Sequence, residues 1–140
     1  MTPDDVELVQ STFEQVRPIS QEAAGMFYGR LFEIAPDVKP LFKGDMAEQG
    51  RKLMATLSVV IGSLHSLQTI LPAVSTLAKK HVEYGVEPSH YAAVGAALLW
   101  TLERGLGTAW TPETAKAWTN AYTTLSNFMI GEAYGRVAAE

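Results

Sequence analysis

Apolar residues in this chain recur at three- and four-residue spacing, in runs that open on or stop at proline, with no sustained two-residue alternation between turns. That pattern restricts the fold to packed helices. Proline fixes its own φ and lacks an N–H, so it belongs in the first turn of a helix or ends the helix before it. Thr2-Pro3 reads as a helix start, with a hydroxyl as N-cap and Asp4 and Asp5 favouring the positive end of the dipole. This helix is expected to run to about Arg17, where Pro18 interrupts it. A second is expected over residues 19–35, with Ala24, Phe27, Tyr28, Leu31 and Phe32 on one face.

Pro36 and Pro40 force a short corner containing Val38, Leu41 and Phe42, and Lys43-Gly44 reads as a turn. Asp45, with Glu48 three residues on, resembles a capping box. It opens a helix whose stripe is Met46, Leu53, Leu57, Val60, Ile61 and Leu64. Pro72 starts another, continuing to about Tyr84, with Gly85 as its C-cap. Pro88 opens a helix through about Gly105. Thr111-Pro112-Glu113 repeats the first opening device and leads the last helix to about Tyr134. The expectation is a single all-α domain over residues 1–140, of seven or so helices.

The chain has 140 residues, 47% hydrophobic and 19% charged, which suits a globular core. Its net charge of −4 contains no block of like charges and no basic footprint for phosphate, which argues against nucleic acid. With no cysteine, disulfides and thiolate metal sites are excluded, in keeping with a cytoplasmic protein. The acidic start Met1-Thr2-Pro3-Asp4-Asp5 is unlike a secretory signal. The most apolar run, residues 92–100, is nine residues long, against the ~20 a membrane-spanning helix needs, so no membrane insertion is expected.

Three histidines are available, His65, His81 and His90. No HExxH spacing, hydrolase triad or glycine-rich phosphate loop accompanies them. Taken by residue type, each is more often a solvated or core histidine than a ligand. Residue chemistry alone therefore yields helices, helix-borne aromatics and a few candidate ligands, without a function.

The order of the motifs adds more. Phe27-Tyr28-Gly29-Arg30-Leu31-Phe32, Pro40-Leu41-Phe42 and Gln49-Gly50-Arg51-Lys52-Leu53 are followed by Ile70-Leu71-Pro72-Ala73-Val74 and Lys80-His81-Val82-Glu83-Tyr84-Gly85-Val86. Ser89-His90-Tyr91 and Ala117-Trp118-Thr119-Asn120-Ala121-Tyr122 come after them. Over nearly its whole length the chain resembles the globin family, particularly bacterial single-domain haemoglobins and the globin domains of flavohaemoglobins. The resemblance implies a three-over-three helical sandwich around a haem b pocket. It identifies His81 as the proximal iron ligand, and helix geometry offers the Leu77 carbonyl, one turn back, as an acceptor to orient its ring.

By the same resemblance Tyr28 is the distal tyrosine, donating to a bound diatomic gas, and Gln49 is the polar residue of the distal helix. Leu53, one turn on, is the apolar wall, Phe42 lies against the porphyrin, and Lys52 reaches a propionate. Ala24 and Gly50 let the second helix cross the distal helix closely. Tyr91 lies beside the proximal histidine. The relatives commonly add a glutamate there; its expected position falls on Ala133, with Glu132 one residue early and so rotated by about 100°. Phe42 and Tyr28 also have readings as core aromatics, and Lys52 and Gln49 as solvated helix residues.

Implied ligands are dioxygen, nitric oxide or carbon monoxide. The implied activity is reversible dioxygen binding, or nitric oxide dioxygenation in which Tyr28 and Gln49 serve catalysis and a separate reductase supplies electrons. Monomer and homodimer both remain open, and a haem-free helical sensor on the same fold stands as a third class.

Overall fold

The computed structural model describes residues 2–42 and 44–135, with side chains through Ala133. Helix α1 (Pro3–Val16) begins as expected: the Thr2 side chain accepts from the Asp5 N–H, and Asp5 returns a bond to the Thr2 N–H. Those bonds, with one from the Asn120 side-chain amide, hold the Asp5 carboxyl below its ordinary range. Pro18 interrupts the helix as expected. It sits in a 3-10 turn, Arg17–Ile19, that separates α1 from α2 (Ser20–Ile34).

The corner after α2 is a second 3-10 turn, Pro36–Leu41, with Phe42 extended at its end. Gly44 has φ +86, as a turn glycine should, while Lys43 lies outside the described residues. Asp45 caps α3 (Met46–Gly62) by accepting from the Ala47 N–H, one position earlier than the capping box places it. A 3-10 segment, Leu64–Thr69, links α3 to α4 (Leu71–Glu83). Next come α5 (Pro88–Leu106) and α6 (Pro112–Ile130), the latter capped by Thr111. The last helix does not continue regularly to Tyr134; it widens into a π turn over Gly131–Gly135.

Two pairings dominate the packing, α2 on α5 and α1 on α6. Helix α3 crosses α2, where a Cβ on Gly50 would lie 3.0 Å from the Ala24 Cβ, so the glycine is what permits that approach. Helices α3 and α4, neighbours in sequence, make little direct contact. The core is correspondingly split. The larger cluster joins Val9, Phe13, Phe27, Leu31 and Trp118, with the Trp118 indole N–H donating to the Thr12 hydroxyl at 2.9 Å. The smaller gathers Val74, Ala78, Tyr91 and Met129 where α4, α5 and α6 meet. One domain of this size ordinarily has one contiguous core plus small satellites. Here the division falls between the helix bearing Leu53 and the helix bearing His81. Among the described residues there is no strand, and no helix is long and apolar enough to cross a membrane.

Candidate functional site

The upper wall of the division is built by α2. Its inward face, Ala23, Ala24, Phe27, Tyr28 and Leu31, is buried, and Tyr28 is only 7% exposed. The Tyr28 ring is edge-on to Phe27 at 5.1 Å and to Phe42 at 5.2 Å, and stacks on Phe32 at 6.1 Å. Phe32 and Phe42 meet edge-on at 5.6 Å, closing an aromatic cluster beneath the proline corner. The Tyr28 hydroxyl donates to the backbone carbonyl of Gln49 at 3.3 Å. That is long for an O–H···O bond, so the hydroxyl is weakly committed and can turn to a stronger acceptor. Burial pushes the phenol up to about 12, which keeps it a neutral donor at ordinary pH.

Gln49 is half-buried in the first turn of α3, brought to Tyr28 by the Gly50–Ala24 crossing. Leu53 is half-buried against the larger cluster and helps line an apolar cavity of about 20 Å³ with Met54, Leu57 and Phe27. Lys52 is exposed.

The lower wall is the end of α4. Pro72 starts this helix, and His81 falls in its last turn. The His81 Nδ1 lies 2.8 Å from the Leu77 carbonyl, the acceptor expected from helix geometry, so Nδ1 carries the proton and donates. Nε2 is left as a lone-pair donor with no hydrogen bond among the described residues. The half-buried imidazole lies nearly parallel to the Tyr91 ring, 6.4 Å away and tilted by 25°, with Tyr84 at 6.3 Å on another side.

Tyr91 is itself seated by a residue that sequence reasoning missed. The Tyr122 hydroxyl donates to the Tyr91 carbonyl at 2.6 Å, and the Tyr122 ring lies against Gly95, where a Cβ would come within 2.7 Å of it. A glycine in the middle of an apolar helical run was the available signal, since such a residue needs a packing reason. Burial raises the Tyr122 phenol well above its ordinary range.

Glu132 takes no part around His81. Its carboxylate accepts from the Ser75 hydroxyl at 2.7 Å, six residues before His81 on α4, or about 9 Å along the helix axis. Ala133 packs against the smaller cluster. The partner shown for the His81 ring is therefore a neutral carbonyl, not a carboxylate.

The structure thus brings Tyr28, Phe42, Gln49 and Leu53 to one wall and His81 and Tyr91 to the other. Among the described residues no three His, Cys, Asp or Glu groups assemble to hold a bare metal ion. A single outward imidazole nitrogen suits a metal that arrives with its other ligands, as in a macrocycle. The split core and the loose α3–α4 contact are what an apolar group seated between those helices would require. On these observations the residues fit haem.

The comparisons agree. The Globin family model matches residues 25–129. The chain is 30% identical over 129 residues to the flavohemoprotein of Bacillus subtilis, covering 90% of this chain and 32% of that protein. It is 30% identical over 142 residues to the flavohemoprotein of Bordetella parapertussis, covering 99% and 35%. The chain thus spans about a third of the length of these curated relatives. Among solved structures, a bacterial globin from Campylobacter jejuni superposes with TM-score 0.82 at 24% identity, covering 99% of this chain and 100% of that one. An engineered carbene transferase from Rhodothermus marinus, a candidate nitric oxide dioxygenase, superposes with TM-score 0.86 at 22% identity, covering 99% and 97%. At those identities the structural likenesses show the fold. The family-model match over three quarters of the chain, on an all-helical fold shared with these structures, leads to one conclusion: the chain belongs to the globin family.

Proposed function

We propose that this chain binds haem b between α3 and α4, with His81 Nε2 as the iron ligand, and reversibly binds dioxygen and other diatomic gases. The observation that carries this reading is the split core, with an unengaged imidazole nitrogen on one wall and a buried neutral phenol on the other. Haem, when bound, supplies the iron that holds the gas.

This chain's residues do the rest. The Leu77 carbonyl fixes the proton on His81 Nδ1 and aims Nε2 outward. Tyr91 braces one face of that ring, and Phe42 offers an aromatic surface to the macrocycle. The Tyr28 hydroxyl, held only by its long bond to the Gln49 carbonyl, would be available to donate to a gas ligand. Such a bond contributes about 1.5–3 kcal/mol, enough to slow ligand escape roughly ten- to a hundredfold. In this reading Gln49, half-buried, assists that bond, Leu53 keeps the wall apolar, and Lys52, exposed on α3, reaches a propionate. The whole chain acts as one domain in the cytoplasm, as monomer or homodimer.

The second reading is nitric oxide dioxygenation, in which nitric oxide, dioxygen and one electron give nitrate, the electron coming from a reductase. The flavohemoprotein relatives favour it. The neutral acceptor on His81 favours the carrier reading, because a carbonyl raises ligand basicity less than a carboxylate does. The test is rapid mixing of the oxygenated protein with nitric oxide, with and without a reductase. One equivalent of nitrate and no turnover is the carrier result. Sustained nitrate formation establishes the enzyme.

A further inference from the structure

We infer that His90 is a positioning residue: it fastens the proline corner that carries Phe42 to the segment leaving the iron-ligand helix, and so sets how firmly haem is retained. The inference rests on the haem reading above and concerns a histidine outside the two walls.

His90 is 8% exposed, and both of its ring nitrogens are engaged. Nδ1 accepts from the backbone N–H of Glu87 at 3.0 Å, at the start of α5. An accepting nitrogen bears no proton, so the neutral ring carries its hydrogen on Nε2. That N–H points at the Asp37 carboxylate, 3.0 Å away in the 3-10 turn Pro36–Leu41. Glu87 Oε2 lies 3.8 Å from the same nitrogen. Asp37 and Glu87 are otherwise exposed side chains, so the buried imidazole gives an exposed carboxylate a fixed address.

An independent contact joins the same two segments. Gly85, in the turn after α4, has φ +94, and a Cβ there would lie 3.1 Å from Leu41 Cδ2. Glycine thus serves twice, adopting the left-handed conformation and admitting Leu41. The corner Pro36–Phe42 and the segment 85–90 are therefore clamped at two points, one apolar and one a directed hydrogen bond. Phe42 stands one residue beyond Leu41, and the turn holding Gly85 begins three residues after His81. Loosening the clamp lets the Phe42 wall part from the His81 side, which is the movement haem needs to leave.

The experiment measures haem transfer from the holoprotein to an excess of a high-affinity apoglobin acceptor, alongside amide exchange at residues 37–42 in the haem-free chain. His90→Leu should release haem about three- to tenfold faster and raise exchange at the corner. Asp37→Ala, an exposed truncation that leaves no buried cavity, should do the same, and the double variant should be no worse than either single one. His90→Gln should return both readouts to within about twofold of the parent, because its amide can accept from the Glu87 N–H and donate to Asp37. Unchanged release and exchange in His90→Leu would overturn the inference. So would a His90→Gln that behaves like His90→Leu, because shape filling would then be the whole role. If the parent chain takes up no haem, the functional reading falls, and amide exchange alone decides the clamp: no change in His90→Leu overturns it.

Discussion

The two walls of the crevice are held by different physics. The α2–α3 wall is close-packed: Tyr28 sits among three aromatic rings, and Gly50 meets Ala24 with no room for a side chain. The α4 wall relies on fewer buried groups, chiefly Val74 and Ala78, and on single hydrogen bonds from His81 to Leu77 and from Ser75 to Glu132. It also leaves Val82 and Tyr84 exposed on either side of the helix end. Packing is distributed over many contacts and tolerates the loss of one polar bond, whereas a lightly packed helix depends on each bond it makes. On the proposed function, the α2–α3 wall should therefore respond to mutation in its chemistry, and the α4 wall in haem occupancy.

The largest expected break in that contrast is His81→Ala. It should abolish normal haem ligation, seen as loss of the Soret band from the purified protein. An unaltered spectrum would mean another residue holds the iron. Next is Gly95→Ala, where the added methyl meets the Tyr122 ring; overpacking of this kind costs about 1–3 kcal/mol, measurable by urea unfolding. Haem affinity should fall with it, because Tyr122 seats Tyr91 beside His81.

Tyr28→Phe should leave haem content intact while raising the dioxygen dissociation rate about tenfold or more in flash photolysis, a loss of at least ~1.4 kcal/mol. An unchanged rate would show that the hydroxyl does not face the gas. The same phenol sharpens the contrast through pH. Unfolded, it ionises near its ordinary value of 10, whereas folded it holds its proton to about 12. Between those values the folded chain binds more protons than the unfolded one, so stability must fall as pH rises from 10 towards 12. Tyr28→Phe should flatten part of that decline. The smallest effect belongs to Ser75→Ala, about 1 kcal/mol of stability with no change in the iron–histidine stretching frequency, because Glu132 is bonded away from His81.

Much of this was legible in the residue order. Thr2-Pro3 and Thr111-Pro112 announced their helices because a hydroxyl cap followed by proline is local chemistry that packing need not supply. The Leu77 carbonyl beneath His81 followed from helix geometry alone. Features set by distant parts of the chain were not legible. The π turn at Gly131–Gly135 packs against α4, and no nearby residue encodes that widening. The Tyr122–Tyr91 bond spans 31 positions, and the His90–Asp37 bond spans 53. Asp45 and Glu48 spell a capping box, yet Asp45 caps Ala47, since a short side chain can accept from either orphan N–H of the first turn.

The most direct measurement is a titration of the purified haem-free chain with haemin, followed at the Soret maximum. Saturation at one haem per chain, with a ferrous iron–histidine stretch that disappears in the His81→Ala protein, is the expected result. Absence of saturable uptake, or equal uptake with the same stretch in the variant, would contradict a crevice built around that imidazole.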